Sequence, residues 1–195
     1  MKYMITGGNR GLGQSIQQRF GGDSISRHNG TDITQDHDKI ANMSLDYDVF
    51  VNNAFDGPFQ EPWANFAQTQ VLFAVARLWQ QQGKMGHIIN IGSVGTERVV
   101  PPDPTFETYR VAKTALKAHS LQWTEAFKSN RVRFKTTLLT LDRLDTDLSR
   151  GRDTWTGNGL DLGYICDQVD LVLRSPGNTC PGEIVLWCNL DHKQQ

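Results

Sequence analysis

A tyrosine and a lysine stand four residues apart, Tyr109 and Lys113, in a stretch whose apolar residues recur at helical spacing. That spacing puts the phenol and the ammonium on one helix face, one turn apart. A free phenol, with a pKa of about 10, exchanges protons poorly near neutral pH, but an adjacent ammonium favours phenolate and lowers that value. Tyr109 could then give a proton to a carbonyl oxygen or take one from an alcohol. Alone, such a pair is usually just exposed, so its meaning depends on what precedes it. The run His87-Ile88-Ile89-Asn90-Ile91-Gly92-Ser93 reads as a buried strand ending in a hydroxyl residue. Ligands of open α/β sheets bind at the carboxyl edge of the strands, where Ser93 can donate a hydrogen bond to the same substrate oxygen. The plainer alternative for a serine after glycine is a turn former or helix cap.

A second constellation lies at the amino end, where Thr6-Gly7-Gly8-Asn9-Arg10-Gly11-Leu12-Gly13 follows a short apolar run and opens a helical pattern. Glycine lets the backbone turn and approach a pyrophosphate, while free N–H groups and the dipole at a helix start favour negative charge. Glycines also serve ordinary tight turns; strand before and helix after are what make phosphate binding the stronger reading.

These groups need a scaffold, and 195 residues with 38% hydrophobic content fit one domain over residues 1–195. Short apolar runs alternate with helical segments, which predicts a doubly wound, Rossmann-like α/β fold with a parallel sheet covered by helices on both faces. The expected strands are Tyr3 to Thr6, Ser24 to Arg27, Val49 to Asn52, His87 to Gly92, Val132 to Leu141 and Ile184 to Cys188. The expected helices are Gly11 to Phe20, Glu61 to Gln82, Glu107 to Lys128 and Asp161 to Arg174. Twenty basic and 21 acidic residues leave a formal charge of -1, which implies no bulk attraction to nucleic acid or membrane. No run suits a signal peptide or membrane span, so a cytoplasmic protein is expected. Cys166, Cys180 and Cys188 lack zinc-site spacing and read as reduced packing residues, with no metal expected.

Taken together, the Thr-Gly-x-x-x-Gly-x-Gly turn and the Ser93, Tyr109, Lys113 order resemble the short-chain dehydrogenase/reductase family. The resemblance implies an oxidoreductase, a carbonyl reductase or alcohol dehydrogenase, in which Tyr109 is the acid/base, Ser93 polarises the substrate oxygen, and Lys113 orients the ribose and tunes Tyr109. It implies cofactor contacts from Gly7, Asn9, Arg10 and Leu12, from the Asp32-Ile33 pair beside the adenine, and from Asn53 and Ala54 of Val51-Asn52-Asn53-Ala54. Tyr109, Lys113 and Thr146 would complete the nicotinamide end. The second strand ends in Ser26-Arg27-His28 without a carboxylate, so Arg10 and Arg27 favour NADP over NAD. Helices Glu61 to Gln82 and Glu107 to Lys128 would pair symmetry mates in a homodimer or homotetramer.

Several positions depart from the pattern. Only four residues separate Arg27 from Asp32, too few for a helix, so a third strand there is vestigial. Gln68 stands where the family often has an Asn holding a water for proton relay, Phe55 stands where Gly is usual, and Leu141-Asp142 replaces a Pro-Gly turn. The loops Phe55 to Glu61, Val94 to Thr108 and Ser149 to Gly159 would set the substrate; the last is either a loop over the site, with Trp155 stacking on a flat substrate, or a plain surface loop. The departures keep a second reading open, a dinucleotide-binding sensor or interaction protein with weak or no catalysis.

Overall fold

The computed structural model describes residues 1–55, 61–97, 106–152, 155 and 157–188. Six parallel strands, β1 (Tyr3–Thr6), β2 (Asp23–Ile25), β3 (Val49–Asn52), β4 (Gly86–Ile91), β5 (Phe134–Leu141) and β6 (Glu183–Leu186), form one sheet in the order β2-β1-β3-β4-β5-β6. Between them run α1 (Gly11–Phe20), α2 (His37–Ser44), α3 (Pro62–Gln81), α4 (Glu107–Lys128), α5 (Asp147–Arg150) and α6 (Leu162–Leu173). This is the doubly wound, Rossmann-like arrangement expected from the alternation of short apolar runs and helical segments.

The strand period of two sorts side chains between two cores. Met4, Phe50, Ile88 and Phe134 face α2, α3 and α4, where they meet Ile40, Val71, Val75, Trp79 and Leu116. Ile5, Val49, Val51, Ile89, Leu139 and Leu141 face α1 and α6, packing on Leu12, Ile16, Ile165 and Val169. Strands covered on both faces read as continuous apolar runs, and β1 and β3 are buried throughout. On the α3–α4 side the apolar ladder changes character toward the carboxyl edge. Asn52 and Asn90, both fully buried, follow Phe50 and Ile88 on that face, and their side chains bond to each other at 2.9 Å. Polar groups are thereby drawn into the sheet just below where Ser93 leaves it.

Strand ends shift by a residue or two from expectation, and two elements differ more. β2 ends at Ile25, so Ser26 and Arg27 belong to a capped 3₁₀ turn, Arg27–Asn29, and not to the sheet. Asp32 and Ile33 form no strand, which leaves β2 as the sheet edge, as the shortened spacing suggested. The helix α2 was not expected. Its sequence, HDKIANMS, is short and polar, and only Ile40, Ala41 and Ser44 are buried. A tertiary bond holds it, with Trp79 Nε1 donating to Ser44 Oγ at 2.8 Å in the core.

Candidate active site

The glycine turn is shaped by near collisions. A Cβ on Gly13 would lie 2.2 Å from the Gly7 carbonyl oxygen, and Gly7 itself has φ +71 and abuts Ala54. Side chains there are excluded by the fold, and the start of α1 lies open: Arg10 is its N-cap and supplies no capping bond. The first-turn amides are thus left for a ligand or solvent. Asn9 and Arg10 are exposed, Asn9 Nδ2 donating to Ser26 Oγ at 2.9 Å, whereas the Leu12 side chain is core and only its backbone can face a ligand. Gly11 brings the turn beside Thr146, whose methyl would meet a Cβ on Gly11 at 3.5 Å. Thr146 in turn caps α5 by accepting from the Ser149 amide.

Thr6 and Asn53 stitch the turn to β3. The fully buried Thr6 Oγ1 accepts from the Asn53 and Ala54 amides at 2.9 and 2.8 Å, and Asn53 Nδ2 donates to the Thr6 and Gly7 carbonyls at 2.9 and 3.3 Å. Asn53 therefore fixes the shape of the turn through its side chain. Ile33 is buried in the α2–α3 core. Asp32 accepts from the Thr34 amide and hydroxyl, and these bonds, with the Arg27 guanidinium 3.9 Å away, hold its carboxyl below the usual range. Its carboxylate is engaged in the turn leading to α2.

Across from α4, Ser93 stands near enough to the Tyr109 phenol to favour its ionised form, and Ser93 Oγ accepts from the Gly95 amide at 3.2 Å. Ser93 thus caps a 3₁₀ turn, the plainer of the two readings of this serine. Lys113, one turn along α4, is 5% exposed. Its Nζ donates to Gln68 Oε1 at 2.6 Å and to the Ile91 carbonyl at 2.9 Å. The Phe55 ring lies 5.4 Å from that nitrogen and meets the Tyr109 ring edge-on at 5.0 Å.

Burial lowers Lys113 to about 7, because desolvation disfavours the ammonium. Tyr109 is raised, burial outweighing the Ser93 hydrogen bond and the Arg152 charge. Lys113 is turned toward α3 and β4 and does not lower the phenol in this arrangement. The Arg152 charge, on the loop after α5, acts on Tyr109. That loop is pinned where it leaves and returns, Asp145 and Leu160 amides bonding to the Leu160 and Arg143 carbonyls. Trp155 packs on the Arg143 guanidinium and against Gly159. Residues 56–60 and 98–105, most of the other two expected substrate loops, lie outside the described residues, as do 153, 154 and 156.

Sequence reasoning placed Ser93, Tyr109 and Lys113 together and set Thr146 at the nicotinamide end; the fold puts Thr146 beside Gly11. It missed the contributions of Thr6, Asn90 and Arg152, and it gave Gln68 and Phe55 no contact. Hydroxyl and amide residues buried beside a parallel sheet carry no periodic signal. Among the described residues there is no cluster of His, Cys, Asp and Glu able to hold a metal ion, and no helix long and apolar enough to cross a membrane.

No protein-family model and no curated protein matches the sequence. Solved structures do. A short-chain dehydrogenase from Burkholderia cenocepacia in complex with NADP is similar at TM-score 0.69 and 20% identity, over 95% of this chain and 89% of that one. A gluconate 5-dehydrogenase from the same organism, in complex with NADP and tartrate, gives 0.71 and 19%, over 95% and 92%. A 3-ketoacyl-(acyl-carrier-protein) reductase from Brucella melitensis, complexed with NADH, gives 0.69 and 17%, over 94% of each chain. Over most of its length, this chain has the fold of the short-chain dehydrogenases.

Proposed function

We propose that the protein is an NADP-dependent oxidoreductase of the short-chain dehydrogenase/reductase family, acting on a carbonyl or alcohol carbon, with residues 1–195 as one catalytic domain. The observation that carries this reading is the placement of the Ser93 hydroxyl beside the Tyr109 phenol, one helical turn from buried Lys113, on the same sheet edge as the uncapped start of α1. The bound nicotinamide supplies or accepts the hydride. In the reducing direction Tyr109 protonates the substrate oxygen while Ser93 donates a hydrogen bond to it. As an ammonium Lys113 has three hydrogens, of which two are engaged, and the third would serve a ribose hydroxyl.

The glycine turn suits a dinucleotide because it is packed tightly against β3, where a Cβ on Gly7 or Gly13 would crowd Gly7, Asn53 and Ala54, and because the first-turn amides of α1 have no side-chain cap. Its Gly7 and the Leu12 amide, with Asn9, would line the pyrophosphate, and Asn53 and Ala54 the ribose beyond. The NADP preference rests on exposed Arg10 and Arg27 and on the lack of a carboxylate after β2. The pairing of Arg27 with Asp32 is loose, at 3.9 Å, and a phosphate would outcompete it. Asp32 and Ile33 would border the adenine.

Pairing of copies through α3 and α4 is supported by the exposed Trp63, Phe73 and Val111 and by a groove of about 460 Å³ lined by Phe73, Arg77, His119 and Trp123. Light scattering tests it, and a monomer contradicts it. The raised Tyr109 and lowered Lys113 favour one second reading, a dinucleotide-binding sensor with weak or no catalysis. NADPH titration with a carbonyl panel separates the two: binding with turnover supports the enzyme, and tight binding without turnover supports the sensor.

A further inference from the structure

We infer that Gln68 is a positioning residue for Lys113, a direct side-chain tether from α3 that holds the lysine nitrogen in place without an intervening water. The inference rests on the catalytic reading of Lys113 and extends it. Gln68 is 2% exposed, and its amide has one satisfactory orientation. Oε1 accepts from Lys113 Nζ at 2.6 Å, while Nε2 donates to the Asn52 carbonyl at 2.6 Å and the Ile91 carbonyl at 3.0 Å. Turning the amide over would set its NH₂ against the lysine and its oxygen against two carbonyls. The Ile91 carbonyl also accepts from Lys113, so lysine, glutamine and strand close a triangle of bonds. Asn52 completes the frame, its Nδ2 donating to the Gln68 carbonyl and to Asn90 Oδ1, both at 2.9 Å.

Side-chain length is what makes the contact direct. An asparagine here would draw the amide oxygen back by roughly 1.5 Å, one carbon–carbon bond, and lose the lysine. The tether accepts a hydrogen bond from the charged form, so it opposes the desolvation that lowers Lys113. Its surroundings are otherwise neutral among the described residues. α3 presents Gln68, β3 and β4 present Asn52, Asn90 and the Ile91 carbonyl, and α4 presents Tyr109; Phe55 covers the remaining side, and Arg152 acts on Tyr109.

The test is the titration of Lys113 by NMR of ¹³Cε-labelled lysine in the full chain, with the resonance assigned by its loss in Lys113→Met. Gln68→Leu removes the acceptor and is expected to lower the midpoint by about one to two pH units. Gln68→Asn should lower it in the same direction, and Gln68→Glu, which keeps an oxygen in place and adds charge, should raise it above the wild type. A purely structural Gln68 would change cooperative melting but not that order. If Gln68→Leu fails to fold, the opposite shifts of Gln68→Asn and Gln68→Glu carry the test. An unchanged midpoint in the folded variants, or the reverse order, overturns the tether. NADPH fluorescence titration of the wild-type chain runs alongside; absent binding would count against the cofactor reading, while the lysine midpoints still decide the tether.

Discussion

Replacing Thr6 by valine keeps shape and removes one oxygen, and that oxygen joins the first strand to the end of the third. Thr6 is fully buried, and its Oγ1 accepts from the Asn53 amide at 2.9 Å and the Ala54 amide at 2.8 Å. The two amides fare differently in the variant. Asn53 N also donates to the Val51 carbonyl at 3.1 Å and keeps that bond. Ala54 N loses its acceptor, at a cost of about 1–3 kcal/mol for a donor left unsatisfied, with up to about 1 kcal/mol more from the weakened Asn53 contact. The donation from Thr6 to Val51 is long, 3.4 Å, and adds little. A loss near 2 kcal/mol lowers the melting temperature of a chain this size by roughly 4–8 °C. Urea unfolding followed by tryptophan fluorescence measures it, with Thr6→Ser as the control that keeps the oxygen and gives up a methyl. NADPH binding should weaken in the valine variant, because the same stitch holds Asn53 against Gly7. A valine variant as stable as wild type, or a serine variant less stable than the valine, would refute the reasoning.

Other perturbations reach the remaining parts of the site. Removing the ring in Phe55→Ala opens Lys113 to water, so its pKa should rise from about 7 and NADPH should bind more tightly by calorimetry; much weaker binding would contradict this. Arg27→Ala should cost about 10–100-fold in NADPH affinity, the value of one charge-assisted phosphate bond, and leave NADH almost unchanged; equal losses would show that Arg27 does not meet the phosphate. Burial holds His87 at about 3 and His119 at about 4 in the fold, against about 6.5 unfolded. The unfolded chain therefore takes up protons first as pH falls, and stability present above 6.5 declines by roughly 2–3 kcal/mol per histidine between pH 6.5 and 4.5, mostly above the carboxylate range. His119→Gln, whose amide can still accept from Trp123 Nε1, should make urea midpoints less pH-dependent; an unchanged pH slope would sink the assignment.

What was legible in the sequence was what repeats or stands at fixed spacing. Buried parallel strands announce themselves as runs such as His87-Ile88-Ile89, and the Tyr109–Lys113 spacing is a helical turn, so both the layer order and the shared face of Tyr109 and Lys113 were readable. The α2 helix was hidden because its few buried positions are fixed by Trp79, 35 residues further on, and not by its own pattern. The direction in which Lys113 points was hidden for the same reason. Spacing shows that it shares a face with Tyr109, but its hydrogens go to Gln68 and Ile91, residues 45 and 22 positions away. Desolvation is likewise a property of the assembled core, and it raises Tyr109 and lowers Lys113.

The most direct test of the account compares wild type with Tyr109→Phe in NADPH binding and in carbonyl-dependent loss of the nicotinamide absorbance. The variant keeps the ring that packs on Phe55 and removes the hydroxyl beside Ser93. The expected result is that both proteins bind NADPH, and that turnover falls about 10²–10⁴-fold in the variant, the usual contribution of a positioned acid/base. A wild-type chain that does not bind NADPH, or a phenylalanine variant that turns over at the wild-type rate, would contradict it.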